Sequence, residues 1–366
     1  MRRRDTLATL LALAAAAPGR AARAGDSDGV EHYATAWRRD GRDLAALLAI
    51  DWARGAVALR AEVPLPGRAH GLEPLADGGV LVVGNRPGRW LWRLAADGTV
   101  AARREWPGEP EARTLNGHAL VGADGTTLLS TETDPRTGRG WIGVRDLRSL
   151  ALVAAFETHG SDPHQLLHAD GGRVVVANGG IARDAQGRKR EGERIDSSLV
   201  LLDAASGRLE GRWTLPDRDL SLRHLAWSHD GQRLGVALQG EHADPAARTA
   251  APLLAVLDGP RLQVPSADAQ GGGYAGDIAP APGGGFVLSA QKAGRCLWWH
   301  PAAPAVLTRV AELTEPCALA PSDHGAGVAI GAGFGAARWH TSEAPRMLPW
   351  PAPLAPDNHW VRLARA

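Results

Sequence analysis

Ala69-His70-Gly71-Leu72-Glu73-Pro74-Leu75-Ala76-Asp77-Gly78-Gly79-Val80-Leu81-Val82-Val83-Gly84-Asn85 sets one polar residue at the head of an apolar run, then an Asp-Gly-Gly turn, then a β-branched run ending on Gly and Asn. Two such runs around such a turn read as a β-hairpin. The pattern returns as Gly117-His118-Ala119-Leu120 with Leu128 to Glu132, as Pro163-His164-Gln165-Leu166 with Val174 to Asn178, and as Arg223-His224-Leu225-Ala226 with Leu234 to Gln239. Gly276-Asp277-Ile278-Ala279 with Phe286 to Gln291, and Pro316-Cys317-Ala318-Leu319 with Val328 to Gly331, complete six copies. Successive key residues lie 48, 46, 60, 53 and 40 positions apart. Two further strand-like runs follow each hairpin, as in Trp90 to Leu94 and Val100 to Trp106. Four strands per 40 to 60 residues is the arithmetic of a β-propeller blade.

A seventh blade is split between the ends of the chain. Asn358-His359-Trp360-Val361-Arg362-Leu363 looks like an inner strand with nothing after it, whereas Tyr33 to Arg38, Leu44 to Trp52 and Ala56 to Val63 are three strands with no inner strand before them. Pairing them closes the ring and removes its open edges. The expected fold is therefore all-β: a seven-bladed propeller over residues 25–366, closed by one C-terminal and three N-terminal strands. Gly179 to Ser197 and Glu241 to Ala251 are polar insertions between second and third strands, read as surface loops, the first a candidate lid or partner contact.

Residues 1–24 carry Arg2-Arg3-Arg4-Asp5-Thr6-Leu7, an Ala/Leu stretch to Ala17, and Ala22-Arg23-Ala24. A charged start, a short apolar segment and a small-x-small end are the parts of an export signal, and Arg3-Arg4-Asp5-Thr6-Leu7 has the twin-arginine pattern. The mature chain is expected in the periplasm, without a transmembrane segment, because no later apolar run is long enough to span a bilayer. The 41 basic residues balance 40 acidic ones, which leaves no excess field for nucleic acid. Phosphate-binding loops, dinucleotide fingerprints, G-x-S-x-G elbows, C-x-x-C-H haem sites and H-E-x-x-H helices are absent from the sequence. Thirteen Trp against three Phe and two Tyr fit wide rings filling the wedges between twisted blades. A disulfide between Cys296 and Cys317 is not expected, because the register separates them across a blade.

First strands line a propeller's channel, so the residues that open them converge on one mouth. Here these are His70, His118, His164, His224, His359, Asp277 and Cys317, candidate ligands for a transition metal, with iron, copper and zinc all compatible. Asn85, Glu132, Asn178, Gln239 and Gln291, at the ends of second strands, together with Arg68 and Arg223, are candidates to support those ligands. Asn116, Asp162, Tyr274 and Glu315 fall near the same mouth. The same polarity would also suit ordered water, a metal-independent enzyme of lactonase or quinoprotein type using a His and Asp277 as acid and base, or a scaffold for a periplasmic partner.

The R-R-x-x-L signal with the R-A-H-G, N-G-H, D-P-H-Q, R-H-L-A-W, Y-A-G-D-I and D-N-H-W elements resembles an uncharacterised domain-of-unknown-function family of twin-arginine-exported periplasmic seven-bladed propellers. The resemblance spans essentially the whole mature chain. It implies a setting of iron uptake, beside imelysin-like proteins and a di-haem thiol-oxidoreductase-like protein as candidate partners, without implying a mechanism. A closed ring has no edge that demands a partner, so a monomer is expected.

Overall fold

The computed structural model describes residues 29–106, 113–184, 186–190, 192–267, 269–322, 326–341 and 343–364. The export signal assigned to residues 1–24 lies outside them. Seven four-stranded antiparallel sheets form the ring. Their inner strands are Ala69–Pro74 in blade 1, Thr114–Val121 in blade 2, Pro163–Ala169 in blade 3, Leu220–Trp227 in blade 4, Asp277–Ala281 in blade 5 and Ala318–Ser322 in blade 6. Blade 7 takes its inner strand, Ala355–Arg362, from the C-terminus and its other three, Val30–Arg39, Arg42–Asp51 and Ala56–Pro64, from the N-terminus. Tyr33 pairs with Arg362 and Thr35 with Trp360 across the closure.

Apolar side chains on each sheet face pack into the next blade. Leu120 and Leu129 of blade 2 meet Leu166 and Val174 of blade 3, and Ala34 and Leu47 of blade 7 meet Val82 and Trp92 of blade 1. Indoles fill several wedges: Trp298 and Trp339 sit 5.4 Å apart between blades 5 and 6, and Trp37 and Trp350 lie 6.1 Å apart between blades 7 and 6. Among the described residues no helix is long and apolar enough to cross a membrane.

Both insertions hold more structure than their polarity suggests. Asp244 caps a short helix, Pro245–Ala250, by accepting hydrogen bonds from the amides of Ala246 and Ala247, and Pro245 opens its first turn. The longer insertion is pinned by buried Ile181 and Ile195, which carries Arg183 and Gly187 back over the channel mouth.

Candidate metal centre

Five inner strands share an irregularity that the other two lack. Pairing with the second strand slips between Ala69 and Leu72 in blade 1, Leu115 and Ala119 in blade 2, Pro163 and Leu166 in blade 3, and Leu222 and Leu225 in blade 4. It slips again between Pro356 and Trp360 in blade 7. Each slip is a β-bulge that contains the histidine: His70, His118, His164, His224 or His359. Blades 5 and 6 pair without interruption, from Asp277↔Ser289 to Ala281↔Gly285 and from Ala318↔Gly331 to Ser322↔Gly327. A bulge bends the strand and re-aims its extra residue. Here the bulged residues are the five whose imidazoles come together.

Bulging frees carbonyls that must find other donors. The Thr131 hydroxyl lies 3.2 Å from the His118 carbonyl and 3.0 Å from that of His164, and the Thr35 hydroxyl donates to the His359 carbonyl at 3.1 Å. Close approach also needs missing side chains. Gly117 holds φ at +102°, and a Cβ there would fall 2.5 Å from Cδ2 of His70. A Cβ on Gly71 would strike the Gly117 carbonyl oxygen at 2.3 Å.

The five imidazoles are 2–6% exposed and form one cluster. Ring nitrogens of His70, His118, His224 and His359 all lie within 4.8 Å of one another, and Nε2 of His164 is 2.8 Å from Nε2 of His224. That last distance is one of a hydrogen bond passed from one imidazole to the other. The centroid of His118 is 4.8–5.3 Å from each of the other four, and the widest recorded pair, His70 and His224, is 6.1 Å apart. For bonds of about 2.1 Å, adjacent rings around one ion fall about 4.5 Å apart and opposite rings about 6.4 Å. His70, His118, His224 and His359 are thus placed so that they could hold one metal ion, while His164 lies outside that group of four and faces His224.

Electrostatics favour the ligand form. Burial first, then neighbouring imidazoles and the Arg86 charge, hold His70, His118, His164 and His224 well below the usual histidine range, so all four are neutral at pH 7. Both nitrogens of His70, Nε2 of His118 and His359, and Nδ1 of His164 and His224 are buried without a hydrogen-bond partner. Each such atom costs roughly 1–3 kcal/mol unless something binds it.

Asp277 stands behind the cluster. One carboxylate oxygen accepts from the Ile278 amide, while the other accepts from the Leu319 amide at 2.9 Å and lies 3.3 Å from Nδ1 of His359. This is the carboxylate–histidine arrangement that fixes a ligand's tautomer and leaves Nε2 to face the cluster. Cys317 is apart from the imidazoles, in an apolar cluster with Tyr33, Trp350 and Trp360, its thiol 3.4 Å from the Gly331 carbonyl oxygen. Burial pushes its thiol far up, which opposes thiolate ligation, and both cysteines are free thiols.

The supporting residues divide in the same way. Asn85, Gln239, Arg68 and Arg223 line a cavity at the mouth, beside His70, His164 and His224. Glu132 is turned onto Arg113, Arg145 and Ser130, and Asn178 onto the Thr158 carbonyl and Ser198. Gln291 lies in a short 3-10 turn near Gly276 and touches no imidazole among the recorded contacts. Arg86 and Arg183 also reach the mouth. Arg86 directly follows Asn85, and Arg183 sits in the insertion, one residue class beyond what the repeat marks. On the far side of the cluster, His118 and His359 face a second cavity of about 680 Å³ lined by Leu72, Ile278, Leu319 and Val361.

Fold and site together define a seven-bladed propeller with a buried five-histidine cluster across its channel. The chain belongs to the family described as "Protein of unknown function (DUF1513)", whose model matches residues 63–363. No curated protein matches the chain. Among solved structures, Kuenenia stuttgartiensis hydrazine synthase is similar at 15% identity, over 92% of this chain and 99% of that one, with a TM-score of 0.58. A 6-phosphogluconolactonase candidate from Bacteroides fragilis NCTC 9343 aligns at 12% identity over 93% and 99%, with a TM-score of 0.60. Virginiamycin B lyase from Staphylococcus aureus aligns at 12% over 84% and 93%, with a TM-score of 0.55. At these identities the likeness is one of fold alone.

Proposed function

We propose that the histidine cluster holds one transition-metal ion, iron favoured over copper or zinc, in a periplasmic protein of iron uptake or handling. The observation that carries this reading is the convergence of four buried imidazoles, His70, His118, His224 and His359, each offering a ring nitrogen within 4.8 Å of the others. Neutral nitrogen donors suit Fe(II), Cu and Zn, and the preference for iron rests on the family resemblance. Such an ion supplies Lewis acidity or one-electron redox capacity when bound.

The chain's own residues would do the rest. Asp277 keeps the proton on Nδ1 of His359, Gly71 and Gly117 let the rings close up, and Thr131 and Thr35 hold the bulges. Export of the folded chain by a twin-arginine route would let the ion be chosen in the cytoplasm, and imelysin-like or di-haem proteins are the proposed partners.

Metal-stripped protein titrated with Fe(II), Cu(II) and Zn(II) tests the reading by thermal unfolding. Stabilisation that rises with the logarithm of free metal, reaching about 2.7 kcal/mol at a hundredfold excess over Kd, is expected. His118→Ala and His164→Ala should each weaken it strongly. Stabilisation indifferent to both substitutions, or none at all, would overturn the proposal. The Asp277–His359 contact of 3.3 Å supports a second reading, a metal-independent enzyme with this pair as acid and base. Turnover retained by metal-free protein would favour it.

A further inference from the structure

The mouth cavity, about 310 Å³, is bounded by Arg68, Arg86, Arg183 and Arg223, with Gln239 and Tyr274 beside them. Three of these guanidinium groups share one carboxylate. Arg86 and Arg183 donate to Oδ1 of Asp162 at 2.8 and 3.2 Å, and Arg223 donates to Oδ2 at 3.0 Å. Arg68 has its own partner, Asp357, through two bonds of 2.8 Å. Four cations against two anions leave two positive charges in excess around a small, enclosed space.

That excess is held at a cost. Arg223 is 3% exposed, and its Nε is buried without a partner. Burial lowers the Arg86 guanidinium to about 10, with Arg223 and Arg183 adding to the effect against the pull of Asp162. A buried cation without a full counter-charge is expensive, and a charge-assisted bond to an oxyanion is the usual remedy. The cavity also opens onto His70, His164 and His224, the side of the cluster away from His118. A divalent ion held by neutral imidazoles would add two more positive charges to the same region.

We infer that the mouth cavity is a binding site for a small oxyanion, with two or more carboxylate or phosphate oxygens, placed to meet the metal from its open side. Guanidinium forks suit both oxyanion types bidentately, and the amide of Gln239 and the phenol of Tyr274 offer neutral donors. The volume is at the low end of ligand pockets, so the anion is small. The link to the metal rests on the function proposed above, whereas the anion site rests on the arginines alone.

Oxalate and inorganic phosphate, titrated calorimetrically into metal-stripped protein and then into metal-loaded protein, separate the two. One-site binding to the stripped form is expected, weakened at least tenfold by Arg183→Gln and abolished by Arg223→Gln, and tightened at least tenfold by metal. Arg183 is partly exposed, so its variant keeps the test decisive if Arg223→Gln fails to fold. Saturable binding by neither anion to either form, or binding that both variants leave unchanged, would overturn the inference. Anion binding by a protein that takes up no metal would leave this site standing and remove the proposed metal function.

Discussion

Blades 1, 2, 3, 4 and 7 carry a histidine inside a bulge of the inner strand, whereas in blades 5 and 6 Asp277 opens, and Cys317 directly precedes, an inner strand of unbroken register. The repeat position is the same in all seven. Its side chain joins the cluster only where one or two extra residues bend the strand. In the regular blades it stays at the wall, where Asp277 braces His359 and Cys317 packs against Tyr33 and Trp360. Clustered imidazole and supporting side chain are thus separated by strand register as much as by residue type.

Acid gives the largest predicted break in this comparison. In metal-free protein, His70, His118, His164 and His224 have pKa values depressed below their unfolded value of about 6.5, so the unfolded chain binds more protons as pH falls below that value. Stability present above about pH 6.5 is therefore lost on acidification, by as much as about 1.4 kcal/mol per group between pH 7.5 and 5.5, an upper bound of between about 5 and 6 kcal/mol for the four. Glu73, raised by burial to about 7 despite a hydrogen bond from the Val121 amide, works the other way, one group against four. Urea unfolding between pH 7.5 and 5.5 measures the slope, and His224→Gln should flatten it by about a quarter.

Next in size is a pair of glycine substitutions at equivalent positions, one residue before the key side chain. Gly117→Ala in bulged blade 2 meets both a positive φ and the His70 ring, and should cost about 3 kcal/mol together with metal affinity. Gly276→Ala in regular blade 5 meets Oγ of Ser289 at 3.1 Å and no positive φ, and should cost under about 1 kcal/mol. Equal losses in urea melts of the two variants would show that the bulge is not what crowds the centre.

Asp277→Asn should keep the fold and weaken metal binding about tenfold to a hundredfold, because a neutral amide holds the His359 tautomer less firmly. Competition with a chelator reads this directly. Cys317→Ala should have the smallest effect: unchanged metal content, with a stability loss of about 1 kcal/mol from the emptied apolar site.

The ring was legible because a period of 40 to 60 residues marks equivalent positions, and because the unmatched ends Ala355–Arg362 and Val30–Pro64 complete each other. The histidines were legible for the same reason. The bulges were not, since a bulge is a relation between two strands and leaves no residue of its own. Glu132 and Asn178 stand at marked positions yet find stronger partners nearby in Arg113, Arg145, Thr158 and Ser198. Arg86 and Arg183 escaped a reading built on periodicity because they come from a connecting turn and an insertion, outside the repeated strands.

Metal content per chain, measured on the purified protein beside a His118→Ala/His164→Ala double variant, tests the central claim most directly. Close to one transition-metal ion per wild-type chain, and almost none in a folded double variant, is the predicted result. Wild-type protein that carries no metal, melts at its full temperature and gains nothing from added iron, copper or zinc would contradict the account.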